Sequence, residues 1–200
     1  MAPGDTAATA EVRTSASGER QALTNPLPVG VIVWLSSELM FFAGLFAAYF
    51  TLRSANDVWP TPEAELEVAR AAVFTVVLLA SSWTMHRSVG AAEHGRRAEA
   101  LRWLAATVVL GLAFVANQAL EYAGLDFGID TDAYGTIFWL LTGFHWLHVV
   151  AGLALMLALA RLSWPGSRAP LAVHHRVVGY YWHFVDVVWV GVFVVVYLVQ

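Results

Sequence analysis

The sequence contains no cysteine. That absence excludes disulfides, thiolate metal sites, iron–sulfur clusters and cysteine-bridged dicopper centres, and it leaves the redox compartment unread. Lysine is missing too, so all 11 basic residues are arginine. Charge of either sign is scarce, at 13% of the 200 residues, against about 25% in soluble proteins. The formal charge of −4 gives no footing for nucleic-acid binding.

What is abundant is apolar. Hydrophobic residues make up 58% of the chain, and its mean hydropathy is +0.61. A soluble core of this length cannot hide so much apolar surface, whereas lipid solvates it directly. Residues 1–28 differ: they are Ala, Ser, Thr, Gly and Pro with scattered charges. No apolar run follows a basic start, so this segment does not read as a cleaved signal peptide. It is expected to be a disordered cytoplasmic tail.

A helix needs about 20 apolar residues to cross the hydrocarbon core. Five stretches qualify, at about 29–52, 69–87, 101–121, 136–160 and 177–199. None alternates as a barrel strand does, and an open sheet would leave backbone groups unpaired in lipid. The expected fold is therefore all-α, a polytopic membrane bundle of five transmembrane helices spread over 29–200.

Arginine placement predicts the orientation. The loop after the first span holds Asp57, Glu63, Glu65 and Glu67, with Arg53 and Arg70 at its ends. The loop after the third holds Asp126, Asp130 and Asp132 and no arginine. The other two loops hold Arg87, Arg96, Arg97 and Arg102, then Arg161, Arg168 and Arg176, while the tail carries Arg13 and Arg20. Nine of the 11 arginines thus share one side, which predicts the N-terminus inside and the C-terminus outside. Trp59, Tyr122 and Tyr134 near the outer ends, and Trp164 and Tyr180 near the inner ones, suit aromatic belts. No internal repeat suggests an inverted transporter pair.

Five ionisable residues fall well inside the spans: Glu38, His145, His148, His183 and Asp186. On insertion scales a mid-membrane charge costs roughly 2.5–3.5 kcal/mol, so each needs a partner or neutralisation. At a rise of about 1.5 Å per residue, Glu38, His148, His183 and Asp186 occupy one layer on the cytoplasmic side of the midplane. Glu38, among aromatic neighbours, reads either as a proton-exchanging or lipid-bonding group, or as a neutral carboxyl bonded to Ser37 or another helix. His145 and His148, three apart, share a helix face. That spacing can serve a metal, although a packed or hydrogen-bonded pair is the plainer reading because no third ligand is evident. His183 and Asp186 read as an intrahelical pair, and a haem between spans four and five is the remote alternative. Glu121 and Tyr122 read as interfacial anchors. Gly44 with Ala43, Ala47 and Ala48, and Gly143 and Gly152, allow close helix contact.

Three blocks carry a family resemblance. WLSSELMFFAGLFAAYF at 34–50 resembles the Glu-bearing helix of the third core subunit of haem–copper cytochrome c oxidases. ANQALEYAGLDFGIDTDAYGTIFWLLTGFHWLHVVAG at 116–152 is similar to that family's Q-x-x-E-Y and A-Y-G-x-x-F…T-G-F-H-x-L-H-V-x-x-G blocks. YYWHFVDVVWVGVFVVVYLV at 180–199 carries its W-H-F-V-D-x-V-W block. In order, they cover nearly all of 29–199, and the five-span form resembles actinobacterial versions most. Longer members have seven spans, the first two forming one wall of a lipid-filled cleft. This chain is expected to begin at the equivalent of their third, with another subunit or nothing in place of that wall.

The resemblance implies a non-catalytic core subunit III of a proton-pumping cytochrome c oxidase in a bacterial plasma membrane. It would pack against subunits I and II, hold phospholipids, and support proton uptake and oxygen access. Haem and copper would belong to those partners, with no cofactor or metal in this chain. Glu38, His145 and His148 match positions in the cleft helices, and Arg161 lies near a family arginine that contacts lipid phosphate. Association with a cytochrome bc complex in a supercomplex is a further expectation. Two alternatives stay open: a subunit of a quinol oxidase or nitric-oxide reductase, and an independent proton-coupled transporter using Glu38 and Asp186.

Overall fold

A computed structural model describes residues 26–60, 66–163 and 171–199. Residues 1–25 of the expected tail lie outside the described residues, as do Glu63, Glu65, Trp164 and Arg168. Five long helices follow one another: α1 Pro26–Ala55, α2 Val68–Glu93, α3 Arg97–Ala123, α4 Ala133–Leu162 and α5 Leu171–Phe193. A π-helical turn, Val194–Val199, extends α5. All five are long and apolar enough to cross a membrane, and there is no strand among the described residues. The helices overrun the apolar stretches, and α1 begins at Pro26, inside the stretch assigned to the tail. Proline suits a first turn because the N–H it lacks would have no intrahelical acceptor.

Helix ends follow local chemistry. The Asp132 side chain accepts from the Gly135 N–H at 2.7 Å and caps α4. Between α2 and α3 the chain reverses at Gly95, whose φ of 70° is left-handed. The Gly95 N–H donates to Ala92 and the Arg96 N–H to Ala91, which closes the last turn of α2 on itself.

Helix α5 packs against α1, α2 and α4, while α3 lies between α2 and α4. Its Trp182 is fully buried. The six-membered ring occupies a slot between Gly111 of α3 and Gly152 of α4. A Cβ on Gly111 would meet Trp182 at 3.0 Å, and one on Gly152 would meet it at 2.8 Å. The indole N–H donates to Ser81 of α2 at 2.9 Å. One side chain therefore joins four helices. Of the glycines expected at helix contacts, Gly152 is one, whereas a Cβ on Gly44 or Gly143 would meet nothing within 4 Å.

Helix α2 buries Leu78 and Met85 in the core and is also fastened by polar bonds. Thr84 pairs with Thr107 at 2.8 Å, and Ser88 donates to the Ala100 carbonyl at 2.9 Å. The Trp189 indole donates to Thr75 at 2.9 Å, and Arg70 donates to Asn117 at 2.6 Å. In lipid the hydrophobic effect does not drive helices together, so such bonds and close packing carry the association. Helix α1 is held differently: its buried residues are Leu35, Phe42 and Tyr49, seven apart, a single seam against α4 and α5.

Gly152→Ala and Gly111→Ala should each destabilise the detergent-solubilised protein by about 1–3 kcal/mol through overpacking. Gly90→Ala, whose Cβ meets nothing within 4 Å, should leave the unfolding temperature unchanged or slightly raised. A scan of the three variants by thermal unfolding checks this ordering.

Candidate functional site

The mid-span ionisable residues separate into three environments. The first joins α1 to α4. Nε2 of His148 lies 3.2 Å from Oε2 of Glu38. Nδ1 of the same ring is 2.7 Å from the Phe144 carbonyl. A carbonyl only accepts, so Nδ1 carries a hydrogen. A hydrogen bond to Glu38 then requires one shared proton, with a carboxylic acid donating to the imidazole or an imidazolium donating to the carboxylate. Both forms are net neutral, which removes most of the cost of placing these groups in an apolar setting. Phe42 packs edge-on against the imidazole at 5.1 Å, and the Tyr181 hydroxyl donates to the His148 carbonyl at 2.9 Å.

Beside this pair lies an open groove of about 610 Å³ between α1, α4 and α5, lined by Trp34, Leu147, His148, Ala151, Leu155 and Tyr181 among others. Trp34 stacks on Tyr181, with centroids 5.5 Å apart and planes at 8°. His148 is thus the polar group on an otherwise apolar and aromatic wall. The Ser37 hydroxyl, one expected partner of Glu38, donates instead to the Trp34 carbonyl at 2.6 Å.

His145 does not join His148. It is fully buried, with Trp189 at 4.9 Å and Phe114 at 6.2 Å between centroids. Neither ring nitrogen has a hydrogen-bond partner among the described residues. Although three residues apart, one histidine faces the interior of the bundle and the other the groove. Among the described residues, no group of three or more His, Cys, Asp or Glu gathers at metal-binding distances.

The expected His183–Asp186 pair is corrected. His183 shares a 2.6 Å hydrogen bond with Ser82 of α2 through Nδ1. Asp186 is buried beside Ser82, but neither carboxyl oxygen completes a hydrogen bond among the described residues. The reason is that α5 packs along α2, which brings the Ser82 hydroxyl within 2.6 Å of the His183 ring.

Glu121 and Tyr122 also differ from the expected interfacial anchors. Glu121 is 8% exposed and accepts from Tyr197 at 2.8 Å, which ties the C-terminal end of α3 to the π-helical turn. The Tyr122 hydroxyl is buried, with its ring against Trp139 at 4.6 Å. Arg161 lies exposed in the last turn of α4. The expected reading passed over Ser81, Ser82, Thr84 and Ser88 altogether, although a run of hydroxyl residues in a membrane span was a visible signal.

Tyr197→Phe should destabilise the protein by about 1–3 kcal/mol, because the buried Glu121 loses its donor. Adding Glu121→Gln should recover part of that loss. Chemical or thermal unfolding of both variants distinguishes this latch from simple packing.

Residues 10–200 match the family described as cytochrome c oxidase subunit III. A probable cytochrome c oxidase subunit 3 of Mycobacterium tuberculosis is 48% identical over 181 residues, covering 88% of this chain and 89% of the relative. Cytochrome c oxidase subunit 3 of Corynebacterium diphtheriae is 45% identical over 183 residues, with the same coverage of 88% and 89%. That of Synechocystis is 40% identical over 174 residues, covering 84% of this chain and 74% of the relative. The resemblance read from three sequence blocks is borne out, and the chain belongs to the cytochrome c oxidase subunit III family.

Proposed function

We propose that the chain acts as a non-catalytic core subunit of the oxidase and uses the α1–α4–α5 groove to seat phospholipid beside the catalytic subunits. The observation that carries this is the Glu38–His148 contact of 3.2 Å, with His148 on the wall of an open apolar groove. An acyl chain suits Trp34, Leu147 and Leu155, and a proton-sharing pair offers a polar contact for a head group or glycerol ester. Arg161, at the end of α4, suits a lipid phosphate by its fork of donors. Seated lipid would keep the neighbouring subunit's proton and oxygen paths intact through repeated turnover. Haem, copper and the electron-transfer chemistry belong, in this reading, to subunits I and II. The transporter reading has less support, because Asp186 and Glu38 sit in separate environments with no hydrogen-bonded link between them among the described residues.

The membrane is the bacterial plasma membrane in this proposal, with the α2–α3 turn cytoplasmic and the α1–α2 loop outside. Because the sequence has no cysteine, single introduced cysteines test the orientation. Asn56→Cys should react with an impermeant maleimide in intact cells, and His94→Cys only after lysis. The reverse pattern would invert the topology.

For the groove, the double variant Glu38→Ala, His148→Ala in the purified oxidase should leave the initial rate within about twofold. It should lower the number of turnovers before inactivation by about threefold or more, with less phospholipid retained. Unchanged lipid content and turnover number would remove the supporting role.

A further inference from the structure

A second polar–apolar boundary lies away from the groove, on the α2–α3 hairpin. Glu99, Arg102, Trp103 and Ala106 form one stripe of α3, spaced three, four and seven apart, and line a cavity of about 340 Å³. The Arg87 guanidinium of α2 lies 5.4 Å from the centre of the Trp103 ring and 5.7 Å from that of Trp83. The two indoles meet edge to face at 5.3 Å. Arg87 is six residues before the end of α2 at Glu93, and Trp103 six after the start of α3 at Arg97. At about 1.5 Å per residue both stand some 9 Å from their helix ends. Toward the bilayer centre the same two helices expose Leu79 and Val109. The cluster therefore sits where an exposed apolar surface becomes basic, the depth at which Trp and Arg meet lipid head groups.

The charge balance favours an anion. Both acids of this end are already bonded to arginines: Glu99 lies 2.7 Å from Arg96, and Glu93 lies 2.6 Å from Arg176. Neither Arg87 nor Arg102 forms an ion pair among the described residues. The cation–π contacts of Arg87 with the indoles engage no hydrogen-bond acceptor, so its N–H groups remain available to an oxyanion.

We propose that this face of the α2–α3 hairpin binds one anionic phospholipid, its phosphate on Arg102 with Arg87 adding charge across the Trp103 ring, and an acyl chain over Trp103 and Ala106. The site shares no residue with the α1–α4–α5 groove and stands or falls separately from it. A membrane anion is the occupant because apolar surface continues directly below the basic pair. Free phosphate would use the arginines alone.

The test uses the intact oxidase containing this chain, reconstituted in nanodiscs with spin-labelled phosphatidylglycerol or phosphatidylcholine. The readout is the motionally restricted lipid fraction. Arg87→Gln and Arg102→Gln should each weaken phosphatidylglycerol retention about fivefold and leave phosphatidylcholine unchanged. Arg102→Lys should retain most of it, and Trp103→Leu should weaken it with both arginines in place. Equal loss of both lipids, or no loss, overturns the proposal. So does competition of inorganic phosphate for the site without change in Trp103→Leu, which marks a simple anion site. Restricted phosphatidylglycerol that disappears in His148→Gln but persists in the arginine variants would place the lipid in the groove instead and overturn it.

Discussion

The packing of this bundle depends on one indole. Trp182 reaches from α5 into a slot that exists only because Gly111 and Gly152 have no side chains, and its N–H ends on Ser81 of α2. Helix α5 is therefore located against α2, α3 and α4 by a single rigid group. The ring fills volume on two sides, and the hydrogen bond sets its depth and direction. In lipid, where apolar contact with a neighbouring helix is worth little more than contact with an acyl chain, shape fit and directed polar bonds have to do this work. The hydroxyl residues of α2 extend the same logic along its length, with Thr75 bonded to α5 and Thr84 and Ser88 to α3.

Polar groups in the spans thus serve two purposes. Most fasten helices: Ser82 with His183, Tyr197 with Glu121, Arg70 with Asn117. The Glu38–His148 pair joins helices as well, but it does so at the edge of an open groove. A shared hydrogen bond between an acid and an imidazole lowers the cost of placing both next to lipid. The looser attachment of α1, through one seam of Leu35, Phe42 and Tyr49, is what leaves the groove open.

The hairpin of α2 and α3 shows how a membrane protein can use its boundary residues twice. Trp83 and Trp103 are belt aromatics by depth, yet they also hold Arg87 within cation–π range of both rings. The close α2–α3 turn, possible because Gly95 adopts a left-handed conformation, brings arginines from both helices to the same level. A charged site and an apolar surface then meet without any residue leaving its ordinary place in the belt.

The sequence by itself determined that this is a membrane protein, that it has five spans, and which family it belongs to. Those properties rest on local composition and on the order of short motifs, such as the Glu38 block and the TGFHWLHVVAG block, and neither depends on how helices turn toward one another. It also marked Glu38, His145, His148, His183 and Asp186 as groups needing an explanation. Only the tertiary structure decided their partners. His148 found Glu38, 110 positions away, while His145 on nearly the same face turned inward between Phe114 and Trp189. His183 chose Ser82 across an interface over Asp186 in its own helix. A spacing of three residues says that two side chains share a face, but the rotation and neighbours of that helix choose which contacts each one makes, and in a five-helix bundle those are set by close packing at Gly111, Gly152 and Trp182.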